Sequence, residues 1–251
     1  MIAIISPTKS LDYSREVPPL PVTAPRFADE AERLAAAAAK LSKKKLGDLM
    51  HISPRLAELN AARFRSFDTL PERPALYAFA GDVYAGFEVH SLADEAVLFA
   101  QDHLRILSGL YGLLRPLDAI RPYRLEMGTR WAPRKGDLYA FWQDRIARTL
   151  AEDLAAQGDA VIINLASKEY WTAAERHLDP SLRVIEIDFR EEGPQGLRFN
   201  TFAAKRARGM MARYICEHRL GDPEALKDFG DDGYRYDPAN SDAGRWRFSR
   251  T

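Results

Sequence analysis

The sequence predicts a mixed α/β fold, a single domain over residues 1–251 built around a mixed central sheet. Three observations point there. "MIAIIS" (1–6) and "AVIINLAS" (160–167) are short apolar runs that suit strands covered on both faces, as in a parallel sheet. Helix-forming segments are interleaved with strand-like ones from end to end. No tandem repeat breaks the pattern.

Taken in order, "MIAIIS" reads as a buried strand stopped by Ser6-Pro7. Pro18, Pro19, Pro21 and Pro25 mark an extended connection. Residues 28–41, with acids early, Lys40 late and five consecutive alanines, predict a close-packed helix. Residues 42–66 predict two tightly joined helices, Ser42 capping the first and Ser53-Pro54 opening the second. "ALYAFAGDVYAGF" (75–87) begins strand-like and breaks at its glycines. Residues 94–114 place Val97, Leu98, Leu104, Leu107 and Leu110 at helical spacing and predict one amphipathic helix. Residues 137–158 predict another, closed by Gly158. A helix is expected after the 160–167 strand, and "RVIEIDF" (183–189) alternates like a strand with two unlike faces. "LRFNTF" can pair with it across the Gly193–Gly196 loop. Residues 203–220 predict a helix, and the tail predicts two short strands around a polar loop.

The bulk numbers narrow the classes. With 251 residues, 46% of them hydrophobic, the chain can bury one sizeable core without disulfides or metals. Cys216 is the single cysteine, so no intrachain disulfide forms. No apolar run approaches the roughly 20 residues of a membrane span, and "MIAIIS" lacks the features of a signal peptide. The expectation is a soluble cytoplasmic protein, monomeric and not membrane-bound.

Formal charge is zero, with 36 basic and 36 acidic residues, but the basic ones cluster. Residues 40–65 hold seven Lys/Arg against two Asp/Glu, residues 115–135 six against two, and residues 197–216 five against none. Converging in space, these windows would make a basic cleft; pointing apart, they would be solvated faces.

Four stretches can carry chemistry. In "ISPTKSLD" (5–12), Ser6, Thr8 and Lys9 can donate to a phosphate and Asp12 can orient Lys9, although the glycines of a Walker loop are absent. In "SGLYGLLRPLDAIRPYRLEMG" (108–128), Arg115, Arg121 and Arg124, with Arg130 beyond, outnumber the nearby Asp118 and Glu126, so an external anion is expected to supplement those acids. In 46–64, a helix-hairpin-helix reading makes Ile52 the apolar centre and Arg55 the following cation, with His51 and Ser53 where glycines are usual; a plain helical hairpin is the alternative. In 203–211, Lys205, Arg206 and Arg208 sit near a helix start, against the macrodipole, and call for acids or a bound polyanion. Asn164, Ser167, Lys168 and Glu169, just past a central strand, are the best remaining place for catalysis, but no nucleophile and base pair there by spacing. The five histidines show no metal-ligand spacing, so neither a metal nor a cofactor is expected.

"ISPTKSLD", "FAGDVYAGF", "LSGLYGLLRPLDAIRPYRLEMG", "NLASKEY", "AKRARGMMARYI" and "GYRYD" together resemble the YaaA family of peroxide-stress proteins. The resemblance runs from Met1 to about Trp246, with Thr8 standing where the family usually has Ala. It implies a mixed α/β domain of unusual topology with a basic cleft and a helix-hairpin-helix element within 42–66. It also implies binding of duplex or distorted DNA and protection against hydrogen peroxide by limiting reactive iron. Joined to the residue-level reading, it makes Arg115, Arg121, Arg124, Lys205, Arg206 and Arg208 phosphate contacts, with His51, Ser53 and Arg55 of the hairpin as a second set. The competing expectation is an enzyme on a small anionic or nucleotide-like substrate, held where Ser6, Lys9 and Asp12 meet Asn164, Ser167, Glu169 and Arg124.

Overall fold

The computed structural model describes residues 1–251. Its centre is an eight-stranded mixed sheet. The strands are β1 (Ile2–Ile5), β2 (Leu104–Ser108), β3 (Gly112–Leu114), β4 (Val161–Asn164), β5 (Arg183–Gly193), β6 (Gly196–Arg198), β7 (Arg235–Tyr236) and β8 (Arg245–Arg250). They lie in the order β7-β8-β5-β4-β1-β2-β3, with β6 folded back on the end of β5. The inner five, β8 to β2, are parallel, and antiparallel strands close both edges. Ile4 sits in register between Arg105 and Asn164. All four residues of β1 are fully buried, which is what an unbroken apolar run needs and why it cannot be an edge.

The main helices are α1 (Ala28–Ala38), α2 (Lys43–Met50), α3 (Pro54–Arg65), α4 (Asp82–Phe87), α5 (Asp94–His103), α6 (Arg145–Ala156), α7 (Lys168–Glu175) and α8 (Thr201–Glu217). From β1 the chain crosses over through α1–α5 to β2 on one side. After β3 it returns through α6 to β4 on the other side of β1. The winding therefore reverses between β1 and β4, and a crevice opens beyond their carboxyl ends, where open α/β sheets characteristically bind ligands.

One close approach fixes the roof of that crevice. Helices α4 and α8 cross through Gly86 and Gly209. A Cβ on Gly209 would lie 1.8 Å from the Val83 carbonyl oxygen, and one on Gly86 would lie 2.1 Å from that of Arg206. No side chain larger than hydrogen fits either place. The crossing sets the first turns of α8 over the loop that leaves β1.

The expected elements hold at β1, β4 and β5, the 193–196 turn, α8 and the β7–β8 tail. The hairpin of α2 and α3 also holds, with Ser42 Oγ accepting from Lys45 N–H (3.1 Å) and Ser53 Oγ from Leu56 N–H (3.4 Å). The aromatics Tyr234, Trp246 and Phe248 of the tail are buried in the core.

Three expectations are corrected. The 94–114 helix stops at His103, and Leu104–Ser108 is β2. Buried Arg105 ends the helix: its Nη1 donates to the carbonyls of Gln101 (3.1 Å), Asp102 (3.1 Å) and Leu104 (2.8 Å), while Nε donates to Asp153 (2.6 Å). The leucines then serve the sheet, because pairing with β1 outweighs helical spacing. Residues 75–78 form a buried helical turn rather than a strand, and only Phe79–Ala80 is extended before α4. Residues 137–158 form two helices, Leu138–Trp142 and α6, separated at Gln143, whose φ is 49°.

Candidate anion-binding site

The loop after β1 forms one wall of the crevice. Ser6 Oγ accepts the Ser167 backbone N–H (2.8 Å) and lies 3.2 Å from Ser167 Oγ, which clips the exits of β1 and β4 together. Ser167 is the N-cap of α7, yet its hydroxyl makes no capping bond and stays at the crevice. The Thr8 hydroxyl points to the carbonyls of Ser10 (2.7 Å) and Ala80 (2.8 Å), so it holds the loop rather than a ligand. Lys9 Nζ is 3.2 Å from Glu126 Oε1, and the lysine side chain is 62% exposed.

These groups face Lys205 and Arg208 of α8 across a cavity of about 470 Å³, closed further by Gly81, Asp82 and Glu169. Its cations are Lys9, Lys205 and Arg208, and its carboxylates are Asp82 and Glu169. Glu169 is occupied: Oε1 accepts the Gly128 N–H (2.9 Å). Neither Lys205 nor Arg208 has a carboxylate within ion-pair distance, and both stand on a helix that has no acid in its first turn. Arg208 is half-buried, and its Nε is buried without a hydrogen-bond partner. Burial pushes its guanidinium pKa down, and the fields of Asp188 and Glu186 pull it back. A cation desolvated without a direct counterion is destabilised until an anion reaches it. The crevice can thus hold a compact anion by charge and by hydroxyl donors from three separate chain segments.

The structure brings together Ser6, Lys9, Ser167, Glu169, Lys205 and Arg208, and leaves the other expected residues elsewhere. Asp12 does not orient Lys9. Its Oδ1 accepts from the Ser14 backbone (2.8 Å) and hydroxyl (2.7 Å), which hold its carboxyl below the usual range. It lines a neighbouring cavity with Arg15 and His90. Asn164 faces the far side of the β4 exit. Arg206 is exposed on α8, outside the crevice lining.

The arginines of 108–128 each meet a carboxylate of the chain itself. Arg115 donates through Nε (3.2 Å) and Nη2 (3.1 Å) to Asp118, which is fully buried and also accepts from the Thr23 hydroxyl (2.6 Å). Arg121 pairs with Glu72 (2.8 Å) and lies over the Phe67 ring. Arg124 pairs with Glu126 (2.9 Å). The nearby acids, Asp118 and Glu126, take up two of these cations, and the third reaches an acid from another part of the chain.

At the hairpin, His51 adopts the left-handed conformation (φ 51°) at the end of α2, the backbone state that glycine would supply in a helix-hairpin-helix element. His51, Ser53 and Arg55 are exposed at its tip. Lys43 pairs with Glu58 and Lys44 with Asp48, whereas Lys45 and Arg55 are exposed and in no ion pair.

Sequence reasoning missed two contributors. Glu126 steers Lys9, and the Gly86–Gly209 crossing positions Lys205 and Arg208. "FAGDVYAGF" carries Gly86 in plain sight, but only the packing gives it a role. No group of three or more His, Cys, Asp or Glu is placed to hold a metal ion, and no helix is long and apolar enough to cross a membrane.

Fold and crevice together define a single-domain mixed α/β protein with a cation-lined cavity at its topological switch point. The chain belongs to the family described as peroxide stress protein YaaA, whose model matches residues 1–240. It is 61% identical over 252 residues to a UPF0246 protein of Rhizorhabdus wittichii, with all of both chains covered. It is 49% identical over 255 residues to a UPF0246 protein of Jannaschia sp., covering 100% of this chain and 97% of that one. Membership supports a role in the oxidative stress response.

Proposed function

We propose that within the peroxide-stress response this protein binds a small phosphate-bearing ligand in the crevice between the β1 and β4 exits. One observation carries the reading: Lys9, Lys205 and Arg208 converge with the Ser6 and Ser167 hydroxyls at the switch point, and the two cations of α8 lack carboxylate partners. Lys9 and Lys205 meet the anion as exposed point charges, and half-buried Arg208 neutralises it from deeper in the crevice. Isothermal titration with inorganic phosphate and pyrophosphate tests the reading. Saturable binding that is weakened in Lys9→Ala/Lys205→Ala supports it; heat no greater than ligand dilution refutes it.

A second reading rests on the hairpin. Lys45, His51, Ser53 and Arg55 present an exposed tip with a left-handed corner and cations free of ion pairs, a form suited to gripping DNA phosphates without reading bases. On this reading the protein also binds duplex or distorted DNA, shielding it from iron-driven damage. Arg206, exposed and unpaired on α8, would add a further phosphate contact. Affinity that falls steeply with salt supports it, and a flat response counts against it.

A further inference from the structure

From a second chamber beside the crevice, we infer that the phosphate-bearing ligand is a nucleoside monophosphate, its base lying against Phe199. The inference rests on the small-anion reading above and adds the identity of the ligand.

Residues 164–169 leave β4 with side chains alternating across the backbone. Leu165, Ser167 and Glu169 line the anion crevice, while Asn164, Ala166 and Lys168 line a neighbouring cavity of about 430 Å³. Arg208 lines both. Each chamber falls within the roughly 300–1,000 Å³ usual for small-molecule sites. A ligand with its phosphate on the Ser6 side can therefore pass Arg208 and place a second group in the adjoining space.

The chemistry of that space suits a flat ring with polar edges. Trp171, buried, and Ala166 supply an apolar floor. Phe199, which lines the chamber, is 48% exposed and has the Arg190 guanidinium over its ring at 5.4 Å. Asn164 is 6% exposed; its Oδ1 accepts the Ala166 N–H (3.0 Å), and its Nδ2 makes no hydrogen bond within the chain. That leaves an unpartnered amide donor on a residue lining the chamber, and a base carbonyl or ring nitrogen would satisfy it. The carboxylates of the chamber do not oppose an anion. Glu186 is paired with Arg245 (2.8 Å), and Asp188 with Arg190 (2.9 Å) and Arg247 (3.1 Å). With both carboxylates paired, the lining keeps a positive balance, because Lys168, Arg190, Arg208 and Arg245 face only Glu186 and Asp188.

Titration of the full-length protein with inorganic phosphate, ribose 5-phosphate and the four 5′-nucleoside monophosphates tests the inference. At least one nucleotide is expected to bind about tenfold tighter than ribose 5-phosphate, the usual scale of one ring stacked on an aromatic side chain. Phe199→Ala should erase that advantage without changing the Kd for ribose 5-phosphate, and Phe199→Trp should keep it. Lys9→Ala/Lys205→Ala should weaken every ligand alike. If phosphate and ribose 5-phosphate bind but no nucleotide binds tighter, or if Phe199→Ala leaves the advantage intact, the nucleotide assignment is overturned while the anion site stands. If none of the ligands binds, the anion site itself is refuted, and the nucleotide with it.

Discussion

Two arginine- and lysine-rich parts of this molecule use positive charge in opposite ways. In the 115–124 segment, Arg115, Arg121 and Arg124 each meet a carboxylate of the chain, Asp118, Glu72 and Glu126, the last shared with Lys9. Asp118 also binds Thr23, and Gln101 ties in by donating to the Thr23 hydroxyl (3.1 Å) and accepting from Leu117 N–H (2.7 Å). That network buckles the first crossover to the turn after β3. At the first turns of α8, Lys205, Arg206 and Arg208 have no carboxylate partner, and two of them face a cavity. The teaching is that density of cations along a chain says little about ligands. What counts is whether the fold has already delivered the counter-charge.

The arginine-rich segment depends most on Asp118, which is fully buried and holds both Arg115 and Thr23. Its loss would strand Arg115 and the Thr23 hydroxyl in a poorly solvated place, so Asp118→Ala should cost about 3 kcal/mol of stability. For a domain of this size that corresponds to roughly 6–12 °C in Tm. Chemical denaturation and calorimetry measure it, and phosphate affinity of the folded variant should be unchanged. A variant as stable as the parent would mean that the segment is not structural.

The hairpin supplies the next test, because there the two readings of charge make different predictions for DNA. Each phosphate neutralised contributes about 0.9 to the slope of log affinity against log salt. Lys45→Ala/Arg55→Ala should therefore flatten the slope by about 1.8. Arg121→Ala/Arg124→Ala should leave it unaltered, since those guanidiniums are engaged with Glu72 and Glu126. Fluorescence anisotropy of a labelled duplex across a salt series measures both. The reverse ranking would place the DNA contact on the arginine-rich segment.

How far the sequence could lead is visible in the same two places. Strands β1 and β4 were legible because a strand buried on both faces has to be apolar throughout. The α2–α3 hairpin was legible because Ser42 and Ser53 sit where caps sit. The loops 6–12 and 164–169 and the start of α8 each stood out as chemistry-bearing, but what they do together did not. That Lys205 and Arg208 join Ser6 and Lys9, and not Arg115 and Arg121, depends on two glycines letting α4 and α8 touch. No local pattern encodes which helix a glycine will meet. Strand β2 was illegible for a related reason. Leu104 and Leu107 fit helical spacing, and pairing with β1 together with the capture of three carbonyls by Arg105 ends the helix at His103.

In the pocket, Lys9→Ala/Lys205→Ala separates binding from folding. Both side chains are exposed, so stability should move by less than about 0.5 kcal/mol. Phosphate affinity should fall at least tenfold, about 1.4 kcal/mol, when titrated at constant ionic strength. The pair thus inverts the Asp118 result: function is lost and stability is kept.

The smallest expected effect falls on Ser6, the one residue that belongs to both categories. Its Oγ holds the Ser167 N–H at 2.8 Å and faces the anion cavity at the same time. Ser6→Ala removes the acceptor and leaves a backbone donor short of a partner where β1 and β4 part, a loss of about 1 kcal/mol. The Ser167 N–H is then free, and it points into a cavity that an anion can fill. Stability without ligand should therefore drop, while saturating phosphate should restore part of it, because the ligand takes over the orphaned donor. Thermal melts with and without phosphate separate the two contributions. Equal losses in both conditions would make Ser6 a clip between strands and nothing more, whereas a loss confined to the ligand-free state would put the anion against the Ser167 amide.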